Sequence, residues 1–218
     1  MGEPKMITRL IFLITVAGLL TSCGSSTKSD YSEGPRTLVF FGDSLTAGKG
    51  VTSEEAYPHL IQEKIDEMGW DIKVVNAGIS GDTSTDGLNR IHQVLEEEVH
   101  YFVLALGAND MLRKNPASIM GENLQKILDL VKEKNPEAKQ LLVGVKFGLV
   151  LGMFVSRQYK DVFSNLAEEN DVEYVPNLLK GVVGKPQLNS SDGIHPNPDG
   201  HKKLAATVWK KLQPLLED

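Results

Sequence analysis

Cysteine is almost absent from the chain, which holds one cysteine, Cys23, among 218 residues. A single cysteine excludes an internal disulfide and any metal site built from several cysteines. Acidic residues outnumber basic ones by 29 to 23, and this excess, with no basic cluster, argues against a nucleic-acid-binding protein. The apolar run Leu10–Leu20 spans 11 residues, too few for the roughly 20 that cross a bilayer. What remains is a globular composition, 41% hydrophobic and 24% charged, of a length that suits one domain.

The N-terminal segment has the layout of an export signal. Lys5 and Arg9 precede the apolar run, and small or polar residues follow it up to Cys23. The stretch Leu-Thr-Ser-Cys that ends at Cys23 resembles the bacterial lipoprotein box, in which the cysteine becomes the lipid-bearing N-terminus. A plain secretory signal with an incidental cysteine is the alternative.

Three regions follow from this pattern. We expect residues 1–22 to be a lipoprotein-type signal peptide, residues 23–36 a small and polar flexible tether, and residues 37–218 the folded domain. Cys23 is the predicted lipidation site. The sequence therefore predicts an exported bacterial lipoprotein that is anchored to a membrane and faces the periplasm or the cell surface.

Short β-rich runs alternate with helical patterns through the predicted domain. The predicted strands are Thr37–Phe41, Ile72–Asn76, Tyr101–Leu106, Leu141–Lys146 and Val172–Val175. The predicted helices are Tyr57–Met68, Thr83–Glu98, Ile119–Lys134, Ser156–Asn170 and Pro198–Leu215. Apolar strands that alternate with helices indicate an α/β fold in which helices cover both faces of a parallel sheet. In such a sheet ligands bind beyond the carboxyl ends of the strands.

Polar and glycine-rich motifs stand where that rule predicts a site. They are Gly-Asp-Ser at 42–44, Asn-Ala-Gly-Ile-Ser-Gly-Asp at 76–82, Gly-Ala-Asn-Asp at 107–110 and Asp-Gly-Ile-His-Pro-Asn at 192–197. The first three follow predicted strands, and the fourth precedes the last helix. Together they supply a serine, a histidine, a carboxylate, several glycines and an amide.

These groups match the needs of acyl transfer. A serine hydroxyl such as that of Ser44 is a weak nucleophile unless a base takes its proton, and imidazole is the base suited to neutral pH. Asp192 lies three residues before His195 and within reach of its ring, where a carboxylate holds the imidazole tautomer. Glycine N–H groups and an asparagine amide are donors for the oxyanion of a tetrahedral intermediate.

Each motif also has a simpler interpretation. Gly-Asp-Ser is a common turn and helix start, and Asn109 suits a helix cap. The loop around Gly81 resembles a phosphate-binding loop, but no Lys-Ser or Lys-Thr pair follows it. Ser44 does not fit the Gly-x-Ser-x-Gly elbow of α/β-hydrolases, because the second glycine is missing. A metal site is a further alternative, with the ligands Asp192, His195, Asp199 and His201.

The four motifs in this order resemble the SGNH (GDSL) hydrolase family, and most closely its bacterial periplasmic thioesterase/lysophospholipase/arylesterase group. The matching motifs are Gly-Asp-Ser-Leu, Ser-Gly-Asp, Gly-x-Asn-Asp and Asp-x-x-His-Pro. The resemblance extends from about Thr37 to the end of the chain. It implies a three-layer α/β/α flavodoxin-like fold with a five-stranded parallel sheet.

The resemblance also implies roles for individual residues. Ser44 would be the nucleophile, His195 the base and Asp192 its partner. The oxyanion hole would consist of the N–H groups of Ser44 and Gly81 and the side-chain amide of Asn109. No metal and no cofactor would be required.

One region departs from the family pattern. After the fourth strand the group usually has a proline-rich segment with Tyr-Gly, whereas this chain reads Lys-Phe-Gly-Leu-Val-Leu-Gly-Met-Phe at 146–154. Large apolar side chains in a segment punctuated by glycine either pack in the core or line a groove for an acyl chain. The candidate substrate-binding residues are Phe147, Leu149, Leu151, Met153 and Phe154.

The predicted function is a serine esterase that hydrolyses acyl esters or thioesters, including lysophospholipids. An O-deacetylase of envelope polysaccharide is the second hypothesis, because the same triad suffices for it. A lipoprotein that kept the fold as a non-catalytic binding module is the third. Loss of a triad or oxyanion residue would indicate that module, and none is lost.

Overall fold

The structure, a computed structural model, describes residues 1–2, 34–147, 158–159 and 161–217. The chain divides into two units, residues 1–32 and 33–218, and every element below belongs to the second. Nearly all of the predicted signal peptide and most of the tether, Cys23 included, lie outside the described residues, so those boundaries stay predictions. No helix within the described ranges combines the length and the apolarity that a membrane crossing needs.

Five parallel strands form one sheet in the order β2-β1-β3-β4-β5. They are β1 (Arg36–Gly42), β2 (Ile72–Gly78), β3 (Tyr101–Ala105), β4 (Lys139–Val143) and β5 (Glu173–Val175). This is the strand order of flavodoxin-like doubly wound sheets, in which β1 and β3 meet at the topological switch point. The predicted α/β class with a five-stranded parallel sheet is confirmed.

Helices cover both faces of the sheet. They are α1 (Ser44–Ala47), α2 (Tyr57–Glu67), α3 (Ser84–Val94), α4 (Ala108–Arg113), α5 (Ala117–Lys134), α6 (Val162–Asn170) and α7 (Pro198–Glu217). Helices α2 and α7 pack together, and the rings of Tyr57 in α2 and His201 in α7 stack at their contact. Trp70, three residues after the end of α2, stacks on Trp209 of α7. Helices α3, α5 and α6 form the other layer. The three-layer arrangement buries the residues of β1 from Leu38 onward and all of β3.

Several element boundaries differ from the sequence prediction. Strand β4 runs from Lys139 to Val143 instead of Leu141–Lys146, because beyond Val143 the backbone of Gly144 bonds to Val175 and Leu178 at the end of β5. Helix α3 ends at Val94 rather than Glu98, before a run of three glutamates. The short helices α1 and α4 were not predicted, since one or two turns carry no helical periodicity. The predicted helix Ser156–Asn170 is seen as α6 from Val162, and three of its six earlier residues lie outside the described ranges.

Candidate active site

Ser44 stands immediately beyond the carboxyl end of β1. Gly42 is the last residue of that strand, and a Cβ there would lie 2.1 Å from Thr46 Oγ1 and 2.9 Å from the Ala105 carbonyl oxygen, so only glycine fits. Asp43 caps α1 by accepting a hydrogen bond from the Leu45 N–H at 3.0 Å. Ser44 is the first residue of the helix, and its N–H therefore has no partner within the helix. The Gly-Asp-Ser turn both caps a helix and presents the serine.

Three side chains form a hydrogen-bonded chain at this edge of the sheet. His195 Nε2 lies 2.9 Å from Ser44 Oγ, and His195 Nδ1 lies 2.6 Å from Asp192 Oδ2. An ionised carboxylate can only accept, so Nδ1 carries the proton and Nε2 accepts from the serine hydroxyl. This is the geometry of a nucleophile, a base and an orienting carboxylate.

A tight loop before α7 fixes Asp192 against His195. The second carboxylate oxygen, Asp192 Oδ1, accepts the N–H groups of Ile194 and His195 at 2.9 Å each, and the Ser190 N–H donates to the His195 carbonyl at 2.8 Å. The hydrogen bond from the His195 ring, followed by those two N–H groups, holds the pKa of Asp192 well below its usual range. The carboxylate is thus charged at any pH at which imidazole can act as a base.

The loop after β2 is a turn that brings Gly81 to the same edge. The Asp82 N–H donates to the Ile79 carbonyl at 3.2 Å, and Gly81 has a φ of +96°. A positive φ at the third residue of a turn is open to glycine and costly for other residues. Gly81 lies beside the serine in the same cleft.

Asn109 reaches the cleft from α4, just beyond β3. Its Nδ2 donates to the Asp82 carbonyl at 2.9 Å, which uses one of the two amide hydrogens and leaves the other for the cleft. The next residue, Asp110, is fully buried and accepts from the Ser84 N–H at 2.7 Å and the Ser84 hydroxyl at 2.8 Å. Asp110 therefore fastens the start of α4 to the start of α3.

Four of the five predicted catalytic and oxyanion residues line one cleft of about 180 Å³, and the fifth, Asp192, is hydrogen-bonded to His195. Ser44, Gly81, Asn109 and His195 all line it, with Lys49 and Ser80. The apolar part of its wall consists of Leu45, Ala108, Leu112, Phe147 and Ile194. Of these, Leu112 and Ile194 are exposed at the rim. The cleft therefore offers an ester group both polar donors and apolar side chains next to Ser44.

Of the candidate substrate-binding residues, Phe147 lines the cleft and is 6% exposed. The other four, Leu149, Leu151, Met153 and Phe154, lie outside the described residues. The predicted contribution of this segment to substrate binding remains a prediction.

The residues of the alternative metal site have other partners. Asp199 Oδ1 lies 2.9 Å from Lys202 Nζ at the surface. His201 is fully buried, and its Nδ1 accepts the Tyr57 N–H at 3.2 Å. Burial lowers the pKa of His201 to about 4, so this imidazole is neutral near pH 7. His201 serves the packing of α7 on α2.

Sequence reasoning missed an ion pair that supports the cleft. Arg90 Nε lies 2.5 Å from Asp82 Oδ2, and both side chains are largely buried. Arg90 lies in an amphipathic helix, where a charged residue is ordinarily a solvated one, and no signal in the sequence singles it out.

Comparison with known proteins bears on the whole of this domain. The model of the GDSL-like lipase/acylhydrolase family matches residues 40–203. The thioesterase 1/protease 1/lysophospholipase L1 of Escherichia coli K12 is 38% identical over 183 residues, 83% of this chain and 85% of that protein. An arylesterase of Vibrio mimicus is 34% identical over 182 residues, 83% of this chain and 90% of that protein. The crystal structure of TesA superimposes with a TM-score of 0.79 at 34% identity, covering 83% of this chain and 99% of TesA.

Proposed function

Because the chain belongs to the GDSL-like lipase/acylhydrolase family and is a carboxylic-ester hydrolase, we propose that Ser44, His195 and Asp192 are its catalytic triad. The observation that carries this proposal is the continuous hydrogen-bonded chain from Ser44 Oγ through both ring nitrogens of His195 to Asp192. A serine esterase needs these three groups in this order, since the base must take the hydroxyl proton while the carboxylate stabilises the imidazolium.

The reaction proceeds in two halves. Ser44 Oγ attacks the ester carbonyl carbon while His195 Nε2 takes the hydroxyl proton, and the charged ring is stabilised by Asp192. Collapse of the tetrahedral intermediate breaks the bond to the leaving alcohol or thiol, which receives that proton from His195. Water then attacks the acyl-serine with His195 again as the base, which releases the carboxylic acid and restores Ser44.

The oxyanion of the intermediate lies where three donors meet. These donors are the N–H of Ser44 at the start of α1, the N–H of Gly81 in the turn after β2, and the free amide hydrogen of Asn109. Their shared position in the cleft supports this assignment. Such donors act on charge that develops only in the transition state, so they raise kcat more than they lower KM.

The substrates are acyl esters or thioesters. The names of the relatives, arylesterase and thioesterase/lysophospholipase, indicate this breadth for those proteins. In this chain the apolar wall of the cleft, with Leu112 and Ile194 at its rim, supports a substrate with a hydrocarbon acyl group. We assign lysophospholipids to the same substrate class.

Membrane attachment is a separate part of the proposal and depends on the sequence alone. A charged start, an apolar run and Leu-Thr-Ser-Cys ending at Cys23 support export and lipidation. A lipid on Cys23 would keep the domain at a membrane surface, facing the periplasm or the cell exterior, where lysophospholipids are within reach.

The triad is tested with p-nitrophenyl esters of increasing acyl length. Ser44→Ala and His195→Ala should each lower kcat by about 10³-fold or more, and the double variant should be little worse than either one. Circular dichroism checks that each variant is folded. A folded Ser44→Ala protein that keeps most of its activity would contradict the proposal.

A further inference from the structure

Arg90 bridges two of the segments that carry the oxyanion donors. From α3, its Nε donates to Asp82 Oδ2 at 2.5 Å, and its Nη2 donates to the Gly42 carbonyl oxygen at 3.1 Å. The guanidinium also lies 4.1 Å from the centre of the Phe41 ring, so three contacts fix its position. Its side chain is 13% exposed and that of Asp82 is 12% exposed.

The contact with Gly42 reaches the serine turn. Gly42 is two residues before Ser44, and its carbonyl accepts both the Arg90 hydrogen bond and the Ile79 N–H at 3.0 Å. The peptide that leads into Asp43 and Ser44 is therefore tied to the turn after β2. A shift of that peptide would move the Ser44 N–H, which is one of the three proposed donors.

The contact with Asp82 reaches the other two donors. Asp82 closes the turn that presents Gly81, and the carbonyl of Asp82 accepts the amide of Asn109 at 2.9 Å. The ion pair with Arg90 holds the Asp82 side chain while the Asp82 backbone holds both the turn and Asn109. One guanidinium is thus linked to all three donors through Gly42 and Asp82.

We propose that Arg90 is a positioning residue that sets the three oxyanion donors relative to one another. The inference rests on the oxyanion hole of the proposed function and extends it to a residue that does not touch the substrate. A planar guanidinium donates to a carboxylate and a carbonyl from two nitrogens at a fixed spacing, whereas lysine has one nitrogen with rotatable donors on a flexible stem. A displacement of donors by about 1 Å can cost roughly 10²-fold in rate.

The test compares Arg90→Met and Arg90→Lys with the unaltered enzyme. Arg90→Met should lower kcat by roughly 10²-fold and change KM less than about threefold, since the donors act in the transition state. The kcat of Arg90→Lys should lie between that of Arg90→Met and that of the unaltered enzyme, because lysine keeps the positive charge near Asp82 and loses the hydrogen bond to Gly42. An alkyl boronic acid, which forms a tetrahedral adduct with the serine, should lose affinity in step with kcat/KM.

Lys211→Met is the matched control. It removes the cation of another ion pair, Lys211 with Glu173 at 2.9 Å, in which both side chains are about half exposed. We expect kcat, KM and boronic acid affinity of this variant to equal those of the unaltered enzyme. If Arg90→Met does not fold, Arg90→Lys carries the test alone.

A double variant separates positioning from general stabilisation. If Arg90 acts through the donors, Arg90→Lys should cost less in the Asn109→Ala background than in the unaltered enzyme. Equal losses in both backgrounds, a loss confined to KM, or a folded Arg90→Met with kcat within about twofold of normal would overturn the inference. If Asn109→Ala itself left kcat unchanged, the oxyanion hole would be wrong and this inference would fall with it.

Discussion

The unfolding free energy of an Asp43→Asn variant, measured relative to that of the unaltered protein, should increase as the pH rises. Asp43 is 1% exposed, and its Oδ2 has no hydrogen-bond partner in the described part of the chain. Burial raises the pKa of Asp43 from 3.8 to about 7, and the nearby charges of Asp82 and Asp110 add to that rise against the Leu45 N–H, which lowers it.

The sign follows from the two states. Well below its unfolded pKa of 3.8, the carboxyl of Asp43 is protonated in both the folded and the unfolded chain, and it has no pH-dependent effect. Between that pH and about pH 7 the unfolded chain loses the proton and the folded protein keeps it, so stability falls as the pH rises. Each tenfold change in an ionisation constant corresponds to about 1.4 kcal/mol, so the pKa of about 7 implies a loss of about 4 kcal/mol above that pH.

Urea unfolding at a series of pH values from about 4.5 to about 9 measures this loss. The introduced asparagine side chain cannot ionise. The unfolded carboxyl is already mostly ionised at the start of the series, so the difference in unfolding free energy between Asp43→Asn and the unaltered protein should rise by about 3 kcal/mol across it. Only the pH dependence of this difference tests the prediction. A constant difference at all pH values would reflect the replacement of a buried carboxyl oxygen by an amide NH2 group. Asp71→Asn, at an exposed position, is the control. Parallel curves for Asp43→Asn and the unaltered protein would refute a buried, proton-holding Asp43.

Three further predictions concern the triad, the anchor and the acyl chain. Asp192→Asn should lower kcat less than His195→Ala does, because the His195 ring stays in place and loses only the negative charge of the neighbouring carboxylate. Steady-state kinetics with one ester compares the two variants. Cys23→Ser should release the protein from the membrane fraction, or leave its signal peptide uncleaved, without lowering the hydrolytic activity. Detection of an unmodified Cys23 in the mature protein by mass spectrometry would contradict lipidation. Medium or long acyl esters should be preferred over acetyl esters, and Leu151→Asp or Met153→Asp should erase that preference, since each buried methylene contributes up to about 0.8 kcal/mol. Acetyl esters as the best substrates would instead favour the deacetylase hypothesis.

The location of the site could be predicted because it follows from sheet topology. Apolar strands alternating with helices specify a parallel sheet, and the carboxyl ends of its strands must meet at one edge. Ser44, Gly81 and Asn109 each follow a strand closely, so their meeting in one cleft required no knowledge of side-chain packing. Asp192 and His195 are close in the sequence, and a single loop brings them together.

The supporting contacts could not be predicted, because they join residues that are distant in the sequence. Arg90 bonds to Gly42 across 48 positions, and Asp110 bonds to Ser84 across 26. Both depend on how far α3 and α4 stand from the sheet, which packing decides and periodicity does not. The predicted end of β4 was wrong for a related reason, since tertiary hydrogen bonds, and not propensity, set where β4 stops.

Covalent labelling tests the central claim, that Ser44 is the nucleophile, most directly. An alkyl fluorophosphonate reacts with an activated serine hydroxyl and should inactivate the enzyme in proportion to the label incorporated. Peptide mass spectrometry should place that label on Ser44, and His195→Ala should slow its incorporation severely, because the hydroxyl proton then lacks its acceptor. Full inactivation with the label on a different residue, or full labelling of Ser44 with hydrolysis intact, would contradict the account.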